Sequence, residues 1–242
     1  DEQYPDYKPF VKNRYEAING TVLGELRVSK FLLETLVNNV NVVSFRPGHL
    51  SYPFSLPQHL LSAGYQYSSS VTANNVLTHL PYQLQYNREN SQELDVFEFP
   101  VTVEDEKKPR LDKRLNQTIK LAKKLSTYGG FMNILIHTDT LGYKLEYEKI
   151  LIDSLSSISY FATISTFGEW WKTRNSINFW MENAIYKKVL HIKTTQAIAG
   201  IGLTIPAHWK IAKNNSNIEQ NGQTVLIKKL EREMSIELTK TE

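Results

Sequence analysis

Two short apolar runs end on side chains that can do chemistry. Val40-Asn41-Val42-Val43-Ser44-Phe45 leads into Arg46-Pro47-Gly48-His49, and Phe131-Met132-Asn133-Ile134-Leu135-Ile136 leads into His137-Thr138-Asp139. A guanidinium offers a rigid fork of donors to an anion, and an imidazole exchanges protons near neutral pH. In parallel α/β sheets, groups at the carboxyl ends of strands gather at one face, where sites are built. Arg46 and His137 are therefore expected on one face of a sheet, with their side chains converging on a groove. Structural jobs fit the same residues: Arg46 binding a loop carbonyl, and His137 capping the helix that follows. His49, Tyr52, Tyr82 and Asp139 flank the expected rim and are candidate substrate contacts.

The elements that must position these groups are legible in outline. Val22, Leu26, Ser29, Leu33 and Leu36 recur at helical spacing ahead of the strand 40–45. A helix over 56–63 follows, with Ser55 at its N-cap, Pro57 in its first turn and Gly64 at its stop. Residues 65–71 read as a strand, and the polar stretch 72–95 as a long excursion. Residues 96–101 read as a strand, 111–128 as a helix ended by Gly129-Gly130, and 131–136 as a strand. Tyr147, Leu151, Leu155 and Ile158 mark the next helix, 160–164 a further strand and 167–174 a short helix. Five strands alternating with amphipathic helices predict a parallel sheet with right-handed crossovers over residues 1–176. From residue 177 the pattern becomes period-two with turn residues, which predicts an antiparallel β appendage over 177–242. Trp180 and Trp209 there fit sugar stacking or ordinary packing.

Composition narrows the classes. The 242 residues include 28 Lys and Arg against 25 Asp and Glu, a net charge of +3, too small to indicate a nucleic-acid partner. No apolar run approaches the ~20 residues that span a bilayer, and no signal peptide is visible. Zero cysteines exclude disulfides, a cysteine nucleophile and thiolate metal sites, without fixing the compartment, cytoplasmic or exported. The chain opens at Asp1, and removal of an upstream part is expected. Tyr4, Pro5, Tyr7, Pro9, Phe10 and Tyr15 lie in a segment with no periodic face, expected to cover an open sheet edge beside the strand 40–45.

An ordered set of short motifs carries a family resemblance. Gly24-Glu25-Leu26-Arg27-Val28-Ser29-Lys30, Phe45-Arg46-Pro47-Gly48-His49, Ala63-Gly64-Tyr65 and Ile134-Leu135-Ile136-His137 occur in sequence. Together they resemble the polysaccharide deacetylases, carbohydrate esterases with a NodB homology domain, over residues 20–175. The arginine motif is similar to the family's Arg-Pro-Pro-Tyr-Gly loop, from which Gly48 and His49 depart. The resemblance implies a partial (β/α) deacetylase-type barrel of about five β/α units, lacking the first two, followed by the small antiparallel β domain. It implies His137 as the general acid, and Arg46 as the group that holds the base carboxylate.

A divalent metal, zinc or similar, is implied for the complete family enzyme. The family's Asp-Asp pair, which includes its base, and its His-x-x-x-His ligands do not occur here, so this chain alone is expected to bind no metal tightly and to be part of a deacetylase, incomplete as a catalyst. In the family a further aspartate tunes the histidine. The corresponding stretch, Ser70 to Asn75, has no carboxylate, and Asp139 or Asp95 is expected to stand in. The substrate implied is an N-acetylated (or O-acetylated) polysaccharide or oligosaccharide. The alternative is a non-catalytic carbohydrate-binding or scaffolding module derived from the same fold.

Overall fold

The computed structural model describes residues 10–13, 16–18, 20–89, 92–139, 141–185, 187–213 and 215–240. Its contacts divide the chain into two compact units, Asp1–Ser165 and Thr166–Glu242. Strand β1 (Phe10–Asn13) pairs antiparallel with β2 (Glu16–Ile18), where the sequence reads as irregular. Tyr4, Pro5, Tyr7, Pro9 and Tyr15 lie outside the described residues.

Helix α1 (Val22–Leu36) starts at Thr21, whose Oγ1 accepts the Gly24 N–H at 3.0 Å, with Glu25 favourably placed in the first turn. It buries Leu23 and Leu26 while Phe31, Leu33 and Leu36 stay exposed. Strand β3 (Ser44–Phe45) is followed by α2 (Leu56–Ser62), which has Pro57 in its first turn; Gly64, at φ 78°, turns the chain out of it. Strand β4 (Tyr67–Ser68), α3 (Ala73–Val76), β5 (Tyr82–Gln85) and β6 (Glu93–Glu98) come next. The stretch expected to be an excursion thus contains β5, whose Leu84 joins Leu26, Leu56, Leu60, Tyr65 and Val96 in one core. Strand β7 (Val101–Glu104), α4 (Leu111–Ser126), β8 (Asn133–Leu135), α5 (Gly142–Leu155) and α6 (Ile164–Asn175) complete the series. Leu111 and Ala122 of α4 pack with Tyr147, Leu151 and Leu155 of α5 over Val103. Asp112 in the first turn of α4 and Lys123 and Lys124 in its last complement the helix dipole.

The partial (β/α) barrel expected from the resemblance is not what forms. The fold is mixed α and β, its strands mostly antiparallel, with no barrel closed among the described residues. Strands β3, β4 and β6 run parallel, but β5 joins β6 antiparallel, in the order β3-β4-β6-β5. Strands β7 and β8 make a separate parallel pair. The single strand expected over 96–101 is broken at Phe99-Pro100, because proline has no N–H to give to a ladder. The N–H groups of Phe99 and Val101 still bond the carbonyls of Ser68 (2.7 Å) and Val71 (2.8 Å). Residues 160–163 form no strand, and α6 begins at Ile164.

The second unit is antiparallel throughout. Its strands are β9 (Asn178–Asn183), β10 (Lys187–Lys193), β11 (Ile198–Thr204), β12 (Trp209–Ile211), β13 (Ile218–Asn221), β14 (Thr224–Leu230) and β15 (Glu233–Lys240). They form two sheets, ordered β12-β15-β10-β9 and β11-β14-β13. Leu190, Ile192, Ile236 and Leu238 from the first share a core with Ile198, Ile201, Val225 and Ile227 from the second. Period-two alternation builds this core, each strand sending every other side chain inward. Trp209 is buried in it, with the Lys188 and Lys240 ammonium groups 5.0 and 6.0 Å from its ring centre. Trp180 is half-exposed. Among the described residues no helix is long and apolar enough to cross a membrane.

Candidate functional site

The chemically active groups of the first unit collect beyond the ends of β7 and β8. Parallel pairing sets Glu104 beside Leu135, and the Asp105 N–H bonds the Leu135 carbonyl at 3.2 Å. Asp105 and His137 therefore leave neighbouring strands side by side. The His137 backbone N–H donates to Asp105 Oδ2 at 2.9 Å, and its ring Nδ1 lies 2.8 Å from Oδ1. A carboxylate only accepts, so this contact places the proton on Nδ1 and leaves Nε2 for a substrate.

Lys144, from the first turn of α5, completes the cluster. Its Nζ lies 2.6 Å from Asp105 Oδ2 and 2.5 Å from Asp139 Oδ1, and donates to the His137 carbonyl at 2.9 Å. Burial pushes the Asp105 carboxyl up, but Lys144 and the two His137 donors outweigh it and hold the group at about 2. The same contacts, Asp105 first and Asp139 second, push the Lys144 ammonium up. Asp105 is thus an anion and Lys144 a cation across the whole working range of pH.

Arg46 lines the same cleft, although it follows β3 and His137 follows β8, strands of two separate sheets rather than the single sheet expected. Its Nε donates to the Ser69 carbonyl (3.3 Å) and hydroxyl (3.2 Å), and Nη2 to Ser69 Oγ (2.7 Å) and Asn133 Oδ1 (3.2 Å). Asn133 is itself locked by donating to Ser69 Oγ and the Phe99 carbonyl. Among the described residues these bonds leave Nη1 without a partner. The loop-carbonyl job that the sequence allowed for Arg46 is therefore present together with its place at the rim. His137 does not cap α5, whose N-cap is Leu141.

Arg46, His49, Asp105, His137, Asp139 and Lys144 line one cleft of about 1200 Å³. Tyr52 and Tyr82 line a neighbouring hollow of about 670 Å³ that shares Leu50, Thr72 and Asn75 with the cleft. Arg88, which also lines the hollow, lies over the rings of Tyr52 (4.4 Å) and Phe54 (5.0 Å). Burial, then the nearby Glu98, pushes the Tyr52 and Tyr82 hydroxyls upward, so both are neutral donors. His49 is exposed and adopts a left-handed backbone at φ 55°.

Neither stand-in expected beside His137 takes that place. Asp95 is exposed on β6, and Asp139 pairs with Lys144. Asp105 orients the histidine, and neither it nor Lys144 was among the expected site residues. The signal was present: Val101-Thr102-Val103 is a third apolar, β-branched run ending on polar groups, Glu104-Asp105.

Glu98 is a further missed group, fully buried, with Oε1 accepting the Ser70 N–H (2.6 Å) and the Val71 N–H (3.1 Å) from two residues that line the hollow. Burial raises its carboxyl, against the Ser68 hydroxyl, these two amides and Arg46. A folded-state value above the unfolded one gives stability that is complete below the unfolded pKa and is lost as pH rises through the folded pKa. Glu98→Gln removes that loss, so its melting temperature should gain on the parent as pH rises from 4 to 8. A constant difference over that range would contradict a raised carboxyl.

Asp105 is held by Lys144 and His137, and among the described residues no three His, Cys, Asp or Glu side chains gather as a metal site. No protein-family model and no curated protein matches this chain.

Proposed function

We propose that the first unit is a glycan deacetylase whose cleft supplies the proton transfers of N-acetyl hydrolysis. The observation that carries this reading is the His137–Asp105 pair, with Nε2 left free on a cleft that Arg46 also lines. In its simplest form, Nε2 accepts a proton from the attacking water as the water oxygen bonds the acetyl carbonyl carbon. Asp105 holds the imidazolium through Nδ1. Nε2 then returns the proton to the amide nitrogen as the carbon–nitrogen bond breaks, releasing acetate and the free amine. Arg46 presents Nη1 to an anionic group in the cleft, which a guanidinium does without changing protonation. The ordered motifs that resemble polysaccharide deacetylases point to an acetylated glycan as substrate. Tyr52 and Tyr82, neutral hydroxyls on aromatic bodies, suit sugar contacts in the adjoining hollow.

A second reading, a glycan-binding module without catalysis, is favoured by one observation. Tyr52 and Arg88, the guanidinium lying over the Tyr52 ring, line the hollow, and His137 does not. Incubating the chain with N-acetylglucosamine oligomers, measuring acetate release and glycan binding side by side, separates the two. Acetate above the buffer control supports the hydrolase; binding without acetate assigns the cleft to the binding module.

A further inference from the structure

Among the described residues strand β9 is the outer strand of its sheet and pairs on one side only, with β10. All of its residues, Asn178 to Asn183, are exposed, including Phe179 (74 %), Trp180 (49 %) and Met181 (41 %). Phe179 and Met181 stand opposite Ile192 and Leu190, whose side chains lie in the core of the unit. The two residues therefore extend the apolar face of the sheet beyond its covered part. Trp180 is on the other face, stacked on His191 at 5.0 Å and 13°. The Ala184 N–H bonds the Lys187 carbonyl at 2.8 Å. By antiparallel alternation, Glu182, Trp180 and Asn178 then turn their backbone groups toward β10, while Phe179, Met181 and Asn183 turn theirs outward. Exposed edges are normally protected by lysine, proline or a bulge. β9 has no lysine and no proline, and its register with β10 is unbroken.

We propose that β9 pairs antiparallel with β9 of a second copy of this chain, about a two-fold axis through Trp180, so that one sheet runs across a homodimer. The strand is self-complementary in that register. Trp180 meets Trp180, Phe179 meets Met181, and Asn178 meets Glu182 of the other copy. Apolar groups thus face apolar groups on the extended face, and the only charge in the strand faces an amide. The outward backbone groups of Phe179 and Met181 bond each other across the axis. A slip of one residue would set Trp180 opposite Met181 and put each on the wrong face. Isologous contacts of this kind close on themselves, which limits the assembly to two copies. A six-residue strand makes a contact in the small class, below about 1,200 Å², so the dimer dissociates on dilution. The inference is independent of what the cleft does.

The absence of native cysteine makes the register testable by cross-linking. In a pair outside the hydrogen-bonded rungs the two Cα atoms are about 4.5 Å apart, within disulfide range. Oxidised Trp180→Cys should become a covalent dimer. Glu182→Cys should not, because its two copies stand four residues apart along the strands, roughly 13 Å. Sedimentation of the unaltered chain should show monomer and dimer shifting with concentration. Met181→Pro, which removes an outward N–H, should be monomeric with an unchanged circular dichroism spectrum; if it loses the fold, Met181→Lys serves in its place. The proposal is overturned by an unaltered chain that stays monomeric, by equal cross-linking of the two cysteine variants, or by a dimer that survives in a folded Met181 variant.

Discussion

Replacing His137 with glutamine should lower acetate release by about 10²–10⁴-fold, the usual contribution of a positioned acid–base group. Glutamine keeps a donor for Asp105 but has no nitrogen that gains and loses a proton near neutrality. The His137 side chain is half-exposed and its backbone N–H to Asp105 is kept, so the substitution should cost no more than one hydrogen bond, about 1 kcal/mol. Rate and melting temperature measured on one preparation separate chemistry from folding. An unchanged rate in the glutamine variant would remove His137 from the reaction and with it the proposed mechanism. A parallel loss of rate and stability would assign the histidine a structural role.

Asp105→Ala should have the largest effect on stability, about 3 kcal/mol, the lower end of the cost of breaking a buried ion pair. The lower end applies because Asp139, at 2.5 Å, remains to pair the buried Lys144 ammonium. The variant loses Asp105's contacts with Lys144 and with both His137 donors. The effect should also depend on pH. The carboxyl is held at about 2 in the folded protein, below its ordinary value. Its stabilisation is therefore complete above about pH 4 and is lost as pH falls from there toward 2. Urea unfolding at pH 7 should show the full difference between parent and variant, and at pH 2 most of it should have gone. A difference that persists unchanged at pH 2 would mean that packing, not the charge network, makes Asp105 important.

Much of the local structure and part of the cleft were legible without coordinates. Pro57 in the first turn and Gly64 after the last mark α2, and apolar spacing marks α4, because these signals act within one or two turns of the chain. Arg46 and His137 line one cleft, but they follow strands of two separate sheets, not one face of a single sheet as the two runs ending in polar groups implied. Their partners were harder to see. Asp105 acts on a residue 32 positions away, and the apolar pattern ends its strand at 101, short of Glu104-Asp105. The ladder breaks at Pro100 and resumes as β7, a division that depends on which neighbour each segment bonds. Lys144 had no local signal, since only the fold brings the first turn of α5 under Asp105.

The sequence by itself determined where α2 and α4 begin, which residues alternate inward in the second unit, and which strand ends present useful chemistry. These follow from dihedral preference and from periodicity, both properties of a short stretch of chain. Only the tertiary structure decided that β5 enters the first sheet antiparallel, that no barrel closes, and that Asp105 and Lys144 hold His137. It likewise made β9 an edge with apolar groups on both faces. The physical reason is that strand pairing, burial and ion pairing are relations between distant segments, and the free energy of each depends on a partner that the local sequence does not name.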